Sequence, residues 1–383
     1  VNQYNFPTLI LSGQGALAEF VNRLKAKNNQ RVLIVTDETL KACGVLEKLT
    51  SLLDAQQVAF SVFAETHANP VEKDVEKGTA VFKDSQCDSI LALGGGSPMD
   101  AAKAIKIMAT HKPPLAQYDD AKGGDQRITE PMPPLYAIPT TAGTGSEVGR
   151  SAVIISAETG KKTIYFHPDL LPDMAVLEPE LTVGLPSHIT AATGVDAFVH
   201  CLEAYFAPGF HPMADGIALQ GLELVLDWLP EAVKNGQNLD ARERMLIAAT
   251  MGAAAFQKGL GMIHSLAHPL SSRYNMHHGL ANALLMPAAI SFIENATLDT
   301  DQRNRVKRVQ ALFADRRYPS GSLSEMSLQF IKNLGIAPGL SSHGVLENDL
   351  ELLAKEAFED PCHPTNMIPV GFADLLFVYK VAL

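Results

Sequence analysis

Cysteine is scarce in this chain: four in 383 residues, at positions 43, 87, 201 and 362. No two form a C-x-x-C pair, so a cysteine-built zinc cluster is not expected. A disulfide framework is equally unexpected, because a chain this long buries a large core without staples. A reducing, cytoplasmic compartment is the default. Positive charge is also short, with 31 Lys and Arg against 42 Asp and Glu, a net charge of −11. That balance argues against nucleic acid and anionic membrane as partners, since both require clustered Lys and Arg. No apolar run approaches the ~18–20 residues of a membrane span. The opening Val1-Asn2-Gln3-Tyr4-Asn5-Phe6 has neither a basic nor an apolar region of signal-peptide type. What remains is a 46% apolar chain, which excludes extensive disorder. Its length predicts two to three domains at ~150 residues each.

The first half alternates short apolar runs with amphipathic stretches. Strands are expected at 31–36, 58–63, 89–93, 135–138 and 174–177, and helices at 41–56, 74–84 and 98–110. Continuous apolar strands between helices imply a parallel sheet covered on both faces. Residues 153–155 and 163–165 read as a hairpin, and 113–134 as a long excursion. After Leu185-Pro186 the texture becomes Ala- and Leu-rich with 3.6-residue spacing over 189–206, 213–234, 241–257 and 282–295. The expected organisation is a Rossmann-like α/β domain over 1–185 and an all-helical domain over 186–383.

Two loops suit phosphate. Gly94-Gly95-Gly96-Ser97-Pro98 lies between strand and helix, where glycines let backbone N–H groups approach an anion and the helix dipole favours it. Pro98 is expected at the first helical position. Thr140 to Glu147 is a second Gly/Thr loop after a strand. Asp37 ends a strand, where a carboxylate either accepts from an adenosine ribose, favouring NAD over NADP, or caps the next helix.

Histidine is abundant by contrast, and seven of twelve fall between His188 and His278. Asp196 and His200 are one helical turn apart, as are His264 and His268; His277 and His278 follow. Such an Asp/His set fits Fe(II) or Zn(II), and the ligand types alone do not choose between them. His67, His111, His188, His211 and His343 read as ordinary core or surface residues.

Taken together, these residues resemble the iron-containing (group III) alcohol dehydrogenases along nearly the whole chain. Gly94–Asp100 is similar to the family's GGGSxxD, Pro139–Glu147 to PTTxGTGSE, and Ala192–His200 to ATGxDAxxH. Gly261–His268 is similar to GxxHxxxH, and His278–Ala283 to HGxxNA. The resemblance implies a dehydroquinate synthase-like fold, with Fe2+ held by Asp196, His200, His264 and His278. His278 is preferred to His277 because it directly precedes the glycine. It also implies His268 as a proton relay beside the metal. NAD would be lined by Asp37, Asn69, Gly95, Gly96, Ser97, Pro98, Asp100, Thr140, Thr141, Val153, Lys162 and Leu181. A homodimer or higher homo-oligomer is implied as well. Several stretches, among them Gly145–Arg150, Ala207–Leu219, Phe256–Gly261 and Cys362–Asn366, are most similar to 4-hydroxybutyrate dehydrogenases. The tail departs from the family, with Met367-Ile368-Pro369 following Asn366 in place of Pro-Arg or Pro-Lys.

The expected activity is reversible NAD-dependent oxidation of a primary alcohol, such as an ω-hydroxy acid, to its aldehyde. The metal would act as a Lewis acid in a cleft between the domains. Arg150 and Arg273 are the candidate partners of a substrate carboxylate. Two rival readings are a zinc-dependent glycerol or diol dehydrogenase, which uses fewer protein ligands, and a dehydroquinate-synthase-like lyase. The lyase would need several basic residues near the histidines, where only Lys258 and Arg273 occur.

Overall fold

The computed structural model describes Phe6, Thr8–Lys27 and Arg31–Leu383. Val1–Asn5, on which the reading of the N-terminus rested, lie outside the described residues. The chain separates into two compact units. One comprises Phe6–Thr141 and Gly145–Thr182; the other comprises Ala142–Thr144 and Val183–Leu383. Among the described residues no single helix is long and apolar enough to cross a membrane.

The first unit runs β1 (Leu9–Ser12), α1 (Ala16–Ala26), β2 (Val32–Val35), α2 (Glu38–Ala42), α3 (Val45–Ala55), β3 (Phe60–Phe63), α4 (Glu72–Asp84), β4 (Ser89–Gly94), α5 (Gly96–Thr110), β5 (Leu135–Pro139), β6 (Ser151–Ile155), β7 (Lys162–Phe166) and β8 (Met174–Leu177). Six strands form a parallel sheet in the order β1-β8-β5-β4-β2-β3. Its side chains alternate between two apolar cores. Leu33, Val35, Ile90, Ala92, Leu135 and Ala137 join one, while Val32, Ile34, Leu91, Leu93, Tyr136 and Ile138 join the other. A sheet buried on both faces is why these strands read as unbroken apolar runs. β6 and β7 form the expected antiparallel hairpin.

Two expectations are corrected here. The single helix at 41–56 is two helices, because Gly44 takes φ +82° between them. Leu46, Leu49, Leu52 and Leu53 all belong to the second helix, so their spacing carried no information about the residues before Gly44. Pro98 is the third residue of α5, not the first; the first-turn N–H groups are unpaired in any helix, so proline is tolerated there as well.

The second unit is helical: α6 (Ser187–Phe206), α7 (Pro212–Lys234), α8 (Leu239–Ala255), α9 (Met262–Tyr274), α10 (His278–Glu294), α11 (Thr300–Asp315), α12 (Leu323–Asn333), α13 (Leu350–Phe358) and α14 (Phe372–Ala382). α6 is buried along nearly its whole length, which makes it the spine on which the histidine centre is built.

Candidate metal centre and cofactor cradle

α6 carries Asp196, His200 and Glu203, at positions i, i+4 and i+7 and hence on one face. α9 brings His264 and α10 brings His278 to that face. Asp196 Oδ1 lies 3.5 Å from His278 Nε2 and 4.0 Å from His264 Nε2, and the His200 and His264 rings stack with centroids 4.6 Å apart. His277 precedes α10 and is exposed. The approach of α10 to α6 depends on Gly279, where a Cβ would overlap the Ala192 carbonyl oxygen.

Asp196, His200 and His264 are 2%, 5% and 1% exposed. Among them, His200 Nδ1 and His264 Nε2 are buried without a hydrogen-bond partner. Orphaned imidazole nitrogens are costly inside a protein, and a divalent cation would satisfy both. Electrostatics divide the rings: burial would lower His264, but the Glu203 carboxylate outweighs it and raises this ring above the usual value. Burial lowers His200 to about 4 and His278 well below the usual imidazole value, leaving neutral rings with free lone pairs. Burial alone would raise the Asp196 carboxyl, but the surrounding His200, His278 and His264 hold it below its ordinary value. One carboxylate and three imidazoles therefore fit a divalent transition metal.

Three groups around the centre were not singled out from sequence. Glu203 Oε2 pairs with His264 Nδ1 at 2.6 Å, and Oε1 accepts from the Ile263 N–H at 2.7 Å. This fixes the ring so that Nε2 faces Asp196. The i+3 spacing from His200 was the available signal. Asn282 Nδ2 donates to Asp196 Oδ1 at 2.7 Å, and its signal was the i+4 spacing from His278. Asp360 Oδ2 meets His268 Nδ1 at 2.7 Å, while Oδ1 accepts from Ser265 Oγ and the Cys362 N–H; no local pattern marks it. The tail contributes despite its unusual sequence, because Asn366 Oδ1 accepts from the Met262 N–H at the start of α9.

Glu203→Gln is expected to weaken metal binding about 10- to 100-fold, the usual effect of losing an outer-shell partner. Competition with a chelator of known affinity measures it; wild-type affinity would remove Glu203 from this role.

The bland readings of two histidines are observed. His111 Nε2 accepts from the Thr129 and Glu130 N–H groups, and His211 caps α7 by accepting from the Ala214 N–H. Lys258 and Arg273 are already neutralised, by Asp215 at 2.5 Å and Glu356 at 2.5 Å respectively. This corrects Arg273 as a carboxylate anchor and leaves a sugar-phosphate lyase without free cations at that place.

In the first unit, Asp37, Asn69, Gly95–Pro98, Thr140 and Thr141 all lie just beyond the carboxyl ends of parallel strands. The strand order reverses between β2 and β4, the position where open α/β sheets take up ligands. No side chain caps α5, so its first N–H groups are open to an anion. Thr140 N–H donates to the Gly94 carbonyl, tying the two loops together. Asp37 does cap α2, accepting from the Leu40 N–H through Oδ1.

Lys103, 1% exposed, ties α5 to the Gly/Thr loop by donating to Ser146 O, Ser146 Oγ and Ser151 O. Burial brings Lys103 down to about 8 and Asp100 up to about 6. Val153 and Lys162 stand on the β6–β7 hairpin, and Leu181 is in the apolar core.

Residues 7–179 match the family model for iron-containing alcohol dehydrogenases, and residues 190–383 match the C-terminal model of the same family. The chain belongs to the iron-containing alcohol dehydrogenase family. It is 42% identical to a 4-hydroxybutyrate dehydrogenase of Cupriavidus necator over 368 residues, 94% of each chain. It is 34% identical to an NAD-dependent methanol dehydrogenase of Bacillus methanolicus, with all of each chain covered. The solved structure of a 1,3-propanediol oxidoreductase superposes with a TM-score of 0.92 at 32% identity over the full length of both. The chain is thus an oxidoreductase of the alcohol–aldehyde type.

Proposed function

We propose that this enzyme interconverts an ω-hydroxy acid of the 4-hydroxybutyrate type and its aldehyde, using NAD and iron(II) held by Asp196, His200, His264 and His278. The observation that carries this reading is the buried cluster in which Asp196, His200 and His264 each bring one ligand atom within 4.8 Å of the others. A divalent cation there supplies Lewis-acid polarisation of the substrate oxygen. The open start of α5 and the Thr140–Thr141 loop would hold NAD, which would supply the hydride acceptor.

The protein residues do the rest. Glu203 and Asn282 orient the ligands. Asp360 holds His268 Nδ1, leaving Nε2 to carry the alcohol's proton away. Asp37, at the carboxyl end of β2, would disfavour a 2′-phosphate.

Arg150 remains the candidate partner for a substrate carboxylate. It stands over the Phe166 ring at 5.7 Å and has no carboxylate partner among the described residues. Arg150→Ala is expected to raise KM for 4-hydroxybutyrate about 10- to 100-fold, the value of a charged hydrogen bond. KM for neutral 1,4-butanediol should hardly change, and Arg273→Ala should change neither. Steady-state NADH formation with metal analysis of the same sample tests the whole reading. No turnover with any C2–C6 hydroxy acid, diol or aldehyde would overturn it. Full activity with zinc and none with iron would overturn the metal.

A further inference from the structure

Beside the histidine centre lies a second group of ligand-type side chains. His268 on α9 faces Asp360 and Cys362, two residues apart on the loop after α13. One donor atom from each, a ring nitrogen, a carboxylate oxygen and Sγ, lies within 4.8 Å of the others. The arrangement is built rather than accidental. Asp360 Oδ1 accepts from Ser265 Oγ at 2.8 Å and from the Cys362 N–H at 2.9 Å, and Ser265 Oγ in turn accepts from the His363 N–H at 2.8 Å. The Asp-Pro-Cys loop is thereby clamped to α9. The Asp360 side chain is 12% exposed and that of His268 37%, so the group is walled on one side and open to water on the other. This is the form of a three-ligand site with a vacant fourth position.

We infer that His268, Asp360 and Cys362 form a second metal site, one that takes Zn2+ and inhibits the enzyme by withdrawing His268 from proton transfer. The donor set separates it from the first centre. The first offers only nitrogen and oxygen, whereas the second adds a thiolate, which favours zinc or cobalt. Without a cation, burial and the nearby Asp360 and Glu203 carboxylates keep the Cys362 thiol protonated. On binding, the thiol proton leaves to solvent and sulfur becomes a ligand. His268 turns its Nδ1 lone pair to the metal and carries its proton on Nε2. No electron changes hands.

The inhibition rests on His268 carrying the substrate proton, whereas the binding does not, and the experiment separates the two. Iron-loaded enzyme is titrated with Co2+ and, separately, with Zn2+. Cobalt should add one equivalent per chain with iron retained and develop a near-ultraviolet thiolate-to-cobalt charge-transfer band, which zinc abolishes. Zinc should suppress NADH formation at the same stoichiometry. Cys362→Ser and Cys362→Ala should keep basal turnover, lose the band, and need at least about tenfold more zinc for half-inhibition. A band that survives in both variants, or no band in wild type, overturns the site. So does zinc that replaces iron mole for mole with equal potency in wild type and variants. A band with full activity leaves the site standing and overturns the role of His268.

Discussion

Replacing His264 by Ala is expected to strip the centre of metal and lower kcat by about 10^3-fold or more. The residue is 1% exposed, with Nδ1 held by Glu203 and the unpartnered Nε2 turned to Asp196 at 4.0 Å. No water-facing route lets another group take its place. Lewis-acid stabilisation of several kcal/mol is at stake, and each 1.36 kcal/mol is a factor of ten in rate. The variant also leaves Glu203 as a buried carboxylate without its imidazole partner, which disfavours refilling the site. Metal content and single-turnover hydride transfer check the result together. A His264→Ala protein that keeps stoichiometric iron and turns over within tenfold of wild type would refute the proposed centre. His211→Ala is the matched control, since it removes a helix cap worth about 1 kcal/mol away from the centre.

Gly279→Ala is the second large effect. The new Cβ would overlap the Ala192 carbonyl oxygen and press on Asp196 Cβ at 3.1 Å. Backbone cannot rotate away as a flexible side chain can, so α10 must shift off α6 and carry His278 with it. The expected cost is at or above the top of the ~1–3 kcal/mol range for overpacking, together with weakened metal binding. Gly216 on α7 provides the contrast, because a Cβ there meets nothing within 4 Å. Gly216→Ala should stabilise the protein by about 1 kcal/mol through helix propensity alone. Denaturant midpoints of the two variants, read with metal affinity, test the argument. Equal midpoints would show that the two helices do not depend on that close approach.

Much of the histidine cluster was legible because its residues come in local pairs. Asp196 and His200 share a helical turn, as do His264 and His268, and a 3.6-residue period makes such pairs visible without a structure. The strand–glycine turn–helix unit at 89–110 was legible for a similar reason, since its parts are contiguous. The same local logic failed between 41 and 56, where the spaced leucines all follow Gly44 and the helix was extended back through it without support.

The chain by itself determined an α/β half with a phosphate loop, a helical half, and a histidine-rich metal chemistry. Tertiary structure alone decided what surrounds those histidines. Glu203 and His264 are 61 residues apart, Asp360 and His268 are 92, and Asn366 and Met262 are 104. It also brought Cys362 to His268 and Asp360, although cysteine spacing had given no sign of a metal site. Spacing reports only contacts made within a few residues of backbone. These partners meet because apolar faces of separate helices pack together, and that packing fixes their side chains at hydrogen-bond distance whatever the separation along the chain.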